Sequence, residues 1–203
     1  EQWWENTSVI SLLQDRQGFI WVGTQDGLLR YDGYDFVKYQ HNENDASSLA
    51  HDYIQSLFED DFGNLWVGTA TGVLHQYHAK FDNFSRFSFD NTKPEGINRA
   101  SVITSITQAN DNTLWVAGLG GGLSRFDLSS KKFTQNFSHQ VDNDNSLSND
   151  LIYDVIQDSD GLVWIATLKG GVTSYNPETS QFKRYSYQPN NPESLSNNIV
   201  ITL

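Results

Sequence analysis

The stretch GNLWVGTATG, residues 63–72, sets Trp66 and its apolar neighbours between a turn glycine, Gly63, and a second glycine, Gly72. The chain writes nearly the same phrase three more times: GFIWVGTQDG at 18–27, NTLWVAGLGGG at 112–122 and GLVWIATLKGG at 161–171. The four tryptophans, Trp21, Trp66, Trp115 and Trp164, are 45, 49 and 49 residues apart. Other positions keep register with them. Twelve residues before each stands Val9, Ile54, Ile103 or Ile152. Six before stands Asp15, Asp60 or Asp158, but Ala109 in the third copy; three before stands Gly18, Gly63 or Gly161, but Asn112 in that same copy. A fixed period of this length marks a repeat architecture, and four strand-like segments per period predict propeller blades.

Each part of the period has a physical reason. SVISLLQD and YIQSLFED read as first strands with alternating apolar positions. The Asp-x-x-Gly after them predicts a tight hairpin, where Asp accepts backbone N–H groups, Gly takes positive φ, and Asn112 is the best substitute for it. LWVGT is the second strand, whose Trp offers a large apolar plate and one N–H donor between neighbouring sheets. Turns holding Gly27, Gly72, Gly121 or Gly170 lead to third strands ending in Tyr31, Tyr77, Phe126 or Tyr175. Polar hairpins lead to the fourth strands, and long Asn- and Ser-rich connections lead to the next blade. The expected fold is an all-β β-propeller fragment of about four four-stranded antiparallel blades, at about 9–40, 53–88, 102–138 and 151–187 of one partial propeller spanning 1–203. SLSNNIVITL at 194–203 repeats SLSNDLIYDV at 146–155, so a fifth blade is expected to begin at about 199.

Composition narrows the function. A net charge of −12 would repel a phosphate backbone and the 13 Lys and Arg are scattered, so nucleic acid is not an expected partner. There is no Cys, hence no disulfide, thiolate metal site or Cys nucleophile. No run of about 18 apolar residues occurs, so a membrane is expected only through segments outside this one. The chain has no Met and begins at Glu1, so an upstream segment, such as a secretion signal, is expected. His41, His51, His75, His78 and His139 lack metal-ligand spacing and are expected on the solvated surface; neither metal nor cofactor is expected. Trp3 and Trp4 break the repeat and are expected to pack on a neighbouring blade or to belong to an unfinished N-terminal edge.

Val9 to Asp32, together with LWVGTATGVLHQY and VWIATLKGGVTSY, resembles the two-component regulator propeller repeat. That resemblance implies the periplasmic or extracellular sensor region of an inner-membrane bacterial receptor, whose output is a histidine kinase of the hybrid type or a diguanylate cyclase. It implies a non-catalytic module for a small-molecule or oligosaccharide ligand. A propeller glycosidase or lyase and a protein-binding scaffold remain as alternatives. Open blade ends would favour either self-association, with two arcs completing one ring as a homodimer, or poor solubility.

Repetition assigns the four tryptophans to the core, since a scaffold needs sameness and a site needs asymmetry. Recognition is therefore expected where the copies differ, on the face shared by the second-to-third turns and the inter-blade loops. The candidates are Asp26, Thr71 and Lys169, with Gly120 at the corresponding turn of the third copy, and Asp52, Arg99 and Asp150 before successive first strands. Together they are expected to ring one opening. No catalytic constellation stands out.

Overall fold

The structure is a computed structural model that describes residues 7–88 and 102–203. Trp3, Trp4 and Arg99 lie outside those residues. The chain divides into two compact units, Glu1–Ser88 and Phe89–Leu203, each with two four-stranded antiparallel sheets. In the first unit, β1 (Val9–Gln14), β2 (Ile20–Thr24), β3 (Gly27–Tyr31) and β4 (Phe36–Tyr39) form one sheet. The other is β5 (Ile54–Glu59), β6 (Leu65–Thr69), β7 (Leu74–His78) and β8 (Asn83–Phe87). In the second unit, β9 (Val102–Gln108), β10 (Thr113–Leu119), β11 (Gly122–Asp127) and β12 (Lys132–Phe137) form one sheet. It is followed by β13 (Ile152–Gln157), β14 (Val163–Thr167), β15 (Val172–Asn176) and β16 (Gln181–Tyr185). Strands lie in chain order in every sheet, joined by hairpins alone. These are propeller blades, and the fragment holds four of them.

The first hairpin of each blade is closed in the same way. The backbone N–H of Asp15, Asp60, Ala109 and Asp158 donates to the carbonyl four residues on, at 3.0, 3.0, 2.8 and 2.9 Å. That turn requires positive φ at one residue, met by Gly18 (93°), Gly63 (79°), Gly161 (83°) and, as expected, by Asn112 (61°). Every first strand also carries a register shift opposite the second, skipping Ile10, Gln55, Thr104 or Tyr153, each eleven residues before its Trp. A bulge at a fixed place adds the same local twist to each blade.

Blade faces build one core per unit. Trp21 and Leu28 of the first sheet meet Ile54, Leu65, Val67, Tyr77 and Phe84 of the second. Trp115, Ala117 and Leu123 meet Ile152, Val155, Val163, Ile165 and Tyr175 in the same arrangement. Gly23 shows why the second strand must stay slim toward the next blade. A Cβ there would stand 2.2 Å from Ser11 Oγ and 2.9 Å from Ile54 Cγ2. Trp21, Trp66 and Trp115 are buried, but Trp164 is only half-buried, which corrects the core assignment for the fourth copy. Trp21 is covered by Tyr77 and Trp115 by Tyr175 of the following sheet, whereas the ring contact of Trp164 is Tyr185 of its own sheet, 5.7 Å away. Residues 198–203 form no strand, although Gly171 N–H donates to Asn198 O at 2.9 Å, just as Gly27 donates to Asp52 O (2.8 Å) and Gly120 to Asp150 O (2.9 Å).

Candidate functional site

At the hairpin end of the blades, the repeated phrase Asp-x-x-Gly-x-x-Trp proves to be one hydrogen-bonded unit. One carboxylate oxygen of Asp15 accepts the turn N–H groups of Gln17 and Phe19, and the other accepts the Trp21 indole N–H at 2.7 Å. Asp60 repeats this with Phe62, Asn64 and Trp66 (2.8 Å), and Asp158 with Asp160, Leu162 and Trp164 (2.6 Å). The Trp164 bond, backed by turn N–H groups, holds the Asp158 carboxyl below its usual range. In the third copy Ala109 offers no carboxylate, and the buried Trp115 Nε1 has no hydrogen-bond partner.

Each unit has a cleft at this end, between the first hairpins of its two blades and the last hairpin of the second. The cleft of the first unit, ≈ 240 Å³, is lined among others by Asp15, Arg30, Glu59, Asn64, Tyr77 and Lys80. Arg30 stands cross-strand from Trp21 with its guanidinium carbon 5.1 to 5.9 Å from the ring centroids of Phe19, Trp21, Tyr39 and Tyr77. It donates to the Tyr77 hydroxyl and reaches Asp82 at 3.3 Å, while Tyr39 and Tyr77 both donate to Asp82 at 2.6 Å. Burial, then the hydrogen bond to Asp82, pushes the Tyr39 hydroxyl far above the usual phenol range. Burial raises the Asp82 carboxyl, but the two phenols and Arg30 outweigh it and hold the acid below its usual range. The cleft of the second unit, ≈ 230 Å³, is lined among others by Ala109, Asp111, Trp115, Arg125, Gln157 and Glu178. Arg125 takes the place of Arg30, over Trp115 at 5.4 Å, and pairs with Asp111. One phenol and the acid are gone: Tyr175 keeps the place of Tyr77, but Phe137 and Ser180 occupy those of Tyr39 and Asp82.

The opposite end carries the residues expected to recognise a ligand. Asp26 pairs with Lys38 at 2.6 Å and remains largely exposed, the Thr71 hydroxyl meets that of Thr69 at 3.3 Å, and Lys169 is exposed. Asp52 and Asp150 close the inter-blade loops: each accepts the N–H of a loop histidine, His41 or His139, at 2.6 Å. Second-to-third turns and loops do meet at one end, as Gly27 with Asp52 and Gly120 with Asp150 show. Asp26, Asp52 and Thr71 belong to the first unit, Gly120, Asp150 and Lys169 to the second, and Arg99 lies outside the described residues.

Two features escaped the sequence reading. Loops 40–53 and 138–151 are each gripped by an arginine from the last strand of the following blade. Arg86 donates to the carbonyls of Asp45, Ser48 and Leu49 and to Ser48 Oγ; Arg184 donates to those of Asn143, Ser146 and Leu147 and to Ser146 Oγ. And His75, expected on the surface, is fully buried. Its Nε2 accepts Ala50 N–H at 2.9 Å, its Nδ1 meets Val67 O at 3.2 Å, and burial, aided by Arg86, lowers its pKa to about 4.

Three segments, residues 4–26, 48–71 and 146–169, match the family model described as Two component regulator propeller. The third repeat, with Ala109 and Asn112, lies outside those segments. Over 44 residues the chain is 46% identical to histidine kinase P4 of Formosa agariphila, a stretch that is 22% of this chain and 3% of that protein. The extracellular domain of a putative hybrid two component system from B. thetaiotaomicron superposes over 90% of this chain with a TM-score of 0.77 and 25% identity. A second such domain from that organism superposes equally well at 23% identity and shares the fold. This chain spans 25% of the length of either structure. Among the described residues no helix is long and apolar enough to cross a membrane.

Proposed function

We propose that this chain, which carries two-component regulator propeller repeats, is a ligand-sensing part of the extracytoplasmic region of a bacterial membrane-bound receptor. The receptor is of the histidine kinase, hybrid two-component type, anchored in the inner membrane by segments other than this one, and the propeller itself performs no chemistry. The observation that carries this reading is the likeness, across nine-tenths of the chain, to the extracellular domain of a putative hybrid two component system. The repeated residues are spent on packing, hairpins and loop closure, which leaves the differing positions at the loop end for a small-molecule or oligosaccharide ligand. Asp26, Thr71, Lys169 and Arg99 are the groups proposed to meet it, with Asp52 and Asp150 shaping the loops beside them.

The test is made in the intact receptor. Replacing Arg99 and Lys169 with Ala is expected to weaken the response to the inducing ligand while leaving melting temperature and surface abundance unchanged. Normal signalling by that double variant, with loss of the response in Lys80→Ala at the hairpin end, would move the sensing site to the other end. Hydrolysis or elimination of a glycan by the purified chain would sink the non-catalytic reading.

A further inference from the structure

In three of the four hairpins an aspartate holds the indole N–H; in the third the carboxylate is missing while the turn that would carry it stays. The Ala109 turn keeps its closing hydrogen bond at 2.8 Å and its left-handed residue, Asn112, so the frame of the seat is intact. Trp115 is fully buried, its Nε1–H is unpartnered, and both it and Ala109 line the ≈ 230 Å³ cleft. A buried N–H without an acceptor carries a desolvation cost that the fold does not offset internally. In the other hairpins that cost is removed by a carboxylate, which shows what chemistry the seat takes.

We propose that the cleft of the second unit binds a small carboxylate ligand, whose carboxylate replaces the absent Asp side chain and accepts the Trp115 Nε1–H. Arg125, over the same ring, supplies positive charge beside the seat. Its pairing with Asp111 leaves the surroundings otherwise acidic, with Asp160 and Glu178 also lining the cleft. Those acids disfavour a second negative group on the ligand and favour hydroxyl or ammonium donors on the part that projects outward. The proposed ligand is therefore a monocarboxylate and neither a dicarboxylate nor a phosphate. The first unit has no such seat, because Asp15 occupies it. The site stands whether or not its occupancy is signalled, so its failure and that of the sensor reading are separate events.

Acetate, the side chain that the third hairpin lacks, is the probe. In the purified chain, titration with acetate at constant pH and ionic strength is expected to shift one indole N–H resonance saturably, that of Trp115, before any other. The same titration should raise the melting temperature. Ala109→Asp is expected to place that resonance at its acetate-bound position from the outset, to raise the melting temperature without ligand, and to abolish both responses. Glycerol, titrated in parallel, is the control for a hydroxyl acceptor. An indole resonance indifferent to acetate, an equal response to glycerol, or an acetate response that survives in Ala109→Asp each overturns the proposal; a seat that holds only a trapped water gives the first of these results.

Discussion

Two blade pairs built on one repeat solve the same packing problem with different polar chemistry. In residues 7–88 both indoles are held by aspartates, an arginine is enclosed by aromatic rings and two phenols, and a histidine ties the loop to the blade. In residues 102–203 one indole is held and one is not, Phe137 stands in place of the Tyr39 phenol, and Thr173 replaces His75 at the same register position, accepting Ser148 N–H at 3.2 Å. Apolar contacts repeat because each sheet must fit the next. Polar contacts diverge because any donor–acceptor set that closes is sufficient.

The largest expected effect tests the shared part. Trp66→Ala should cost about 3–5 kcal/mol, as for other packed aromatics. An unchanged melting temperature would break the claim that these rings are the common core. Acid should then separate the pairs. The unfolded chain protonates His75 at the ordinary value of 6.5 and the folded chain only at about 4. Its contribution is therefore complete above pH 6.5 and is lost as pH falls toward 4, on the order of 3 kcal/mol in total. In His75→Thr, which copies the second pair, that slope should flatten in denaturant melts recorded from pH 7 to 4; a slope that persists would assign it elsewhere.

Smaller effects sharpen the hairpin contrast. Trp66→Phe leaves Asp60 without its indole donor and should cost about 2 kcal/mol beyond the same change at Trp115, where the lost N–H had no partner. Equal costs in urea unfolding would mean that the indole bonds contribute nothing. Ala109→Asp should stabilise by about 1 kcal/mol, a typical net hydrogen bond. Destabilisation would show that the third hairpin is packed shut against a carboxylate.

The repeat, the four four-stranded sheets and the hairpin turns were legible because they depend on residues within a few positions of one another. Asp, Gly and Trp at fixed offsets specify a turn locally, and Asn112 stands in for Gly because it tolerates the same backbone. Even the exception at Ala109 was visible, although its consequence, an orphaned indole, needed the carboxylate's second oxygen to be seen on Trp21. His75 was misplaced because strand alternation presumes one wet face, whereas β6 and β7 are buried on both. Arg86 and Arg184 were missed for a different reason: both stand 20 residues after their repeat tryptophan, an offset that marks them as a pair, but their partners lie about 38 residues upstream, where no local pattern points. The loop acids Asp52 and Asp150 looked variable and polar, and they are also loop closures.

The arginine grip has a consequence for how the chain comes to be folded during synthesis. Loops 40–53 and 138–151 are each fastened by the last strand of the blade after them, so either loop, once it has left the ribosome, lacks that grip until some 38 further residues have been made. These two loops are thus finished from behind, one blade late, and a nascent chain paused inside the second or fourth blade leaves its preceding loop open to proteases. Pulse proteolysis of stalled nascent chains should show cleavage in 42–48 that vanishes once Arg86 has emerged and persists in Arg86→Ala.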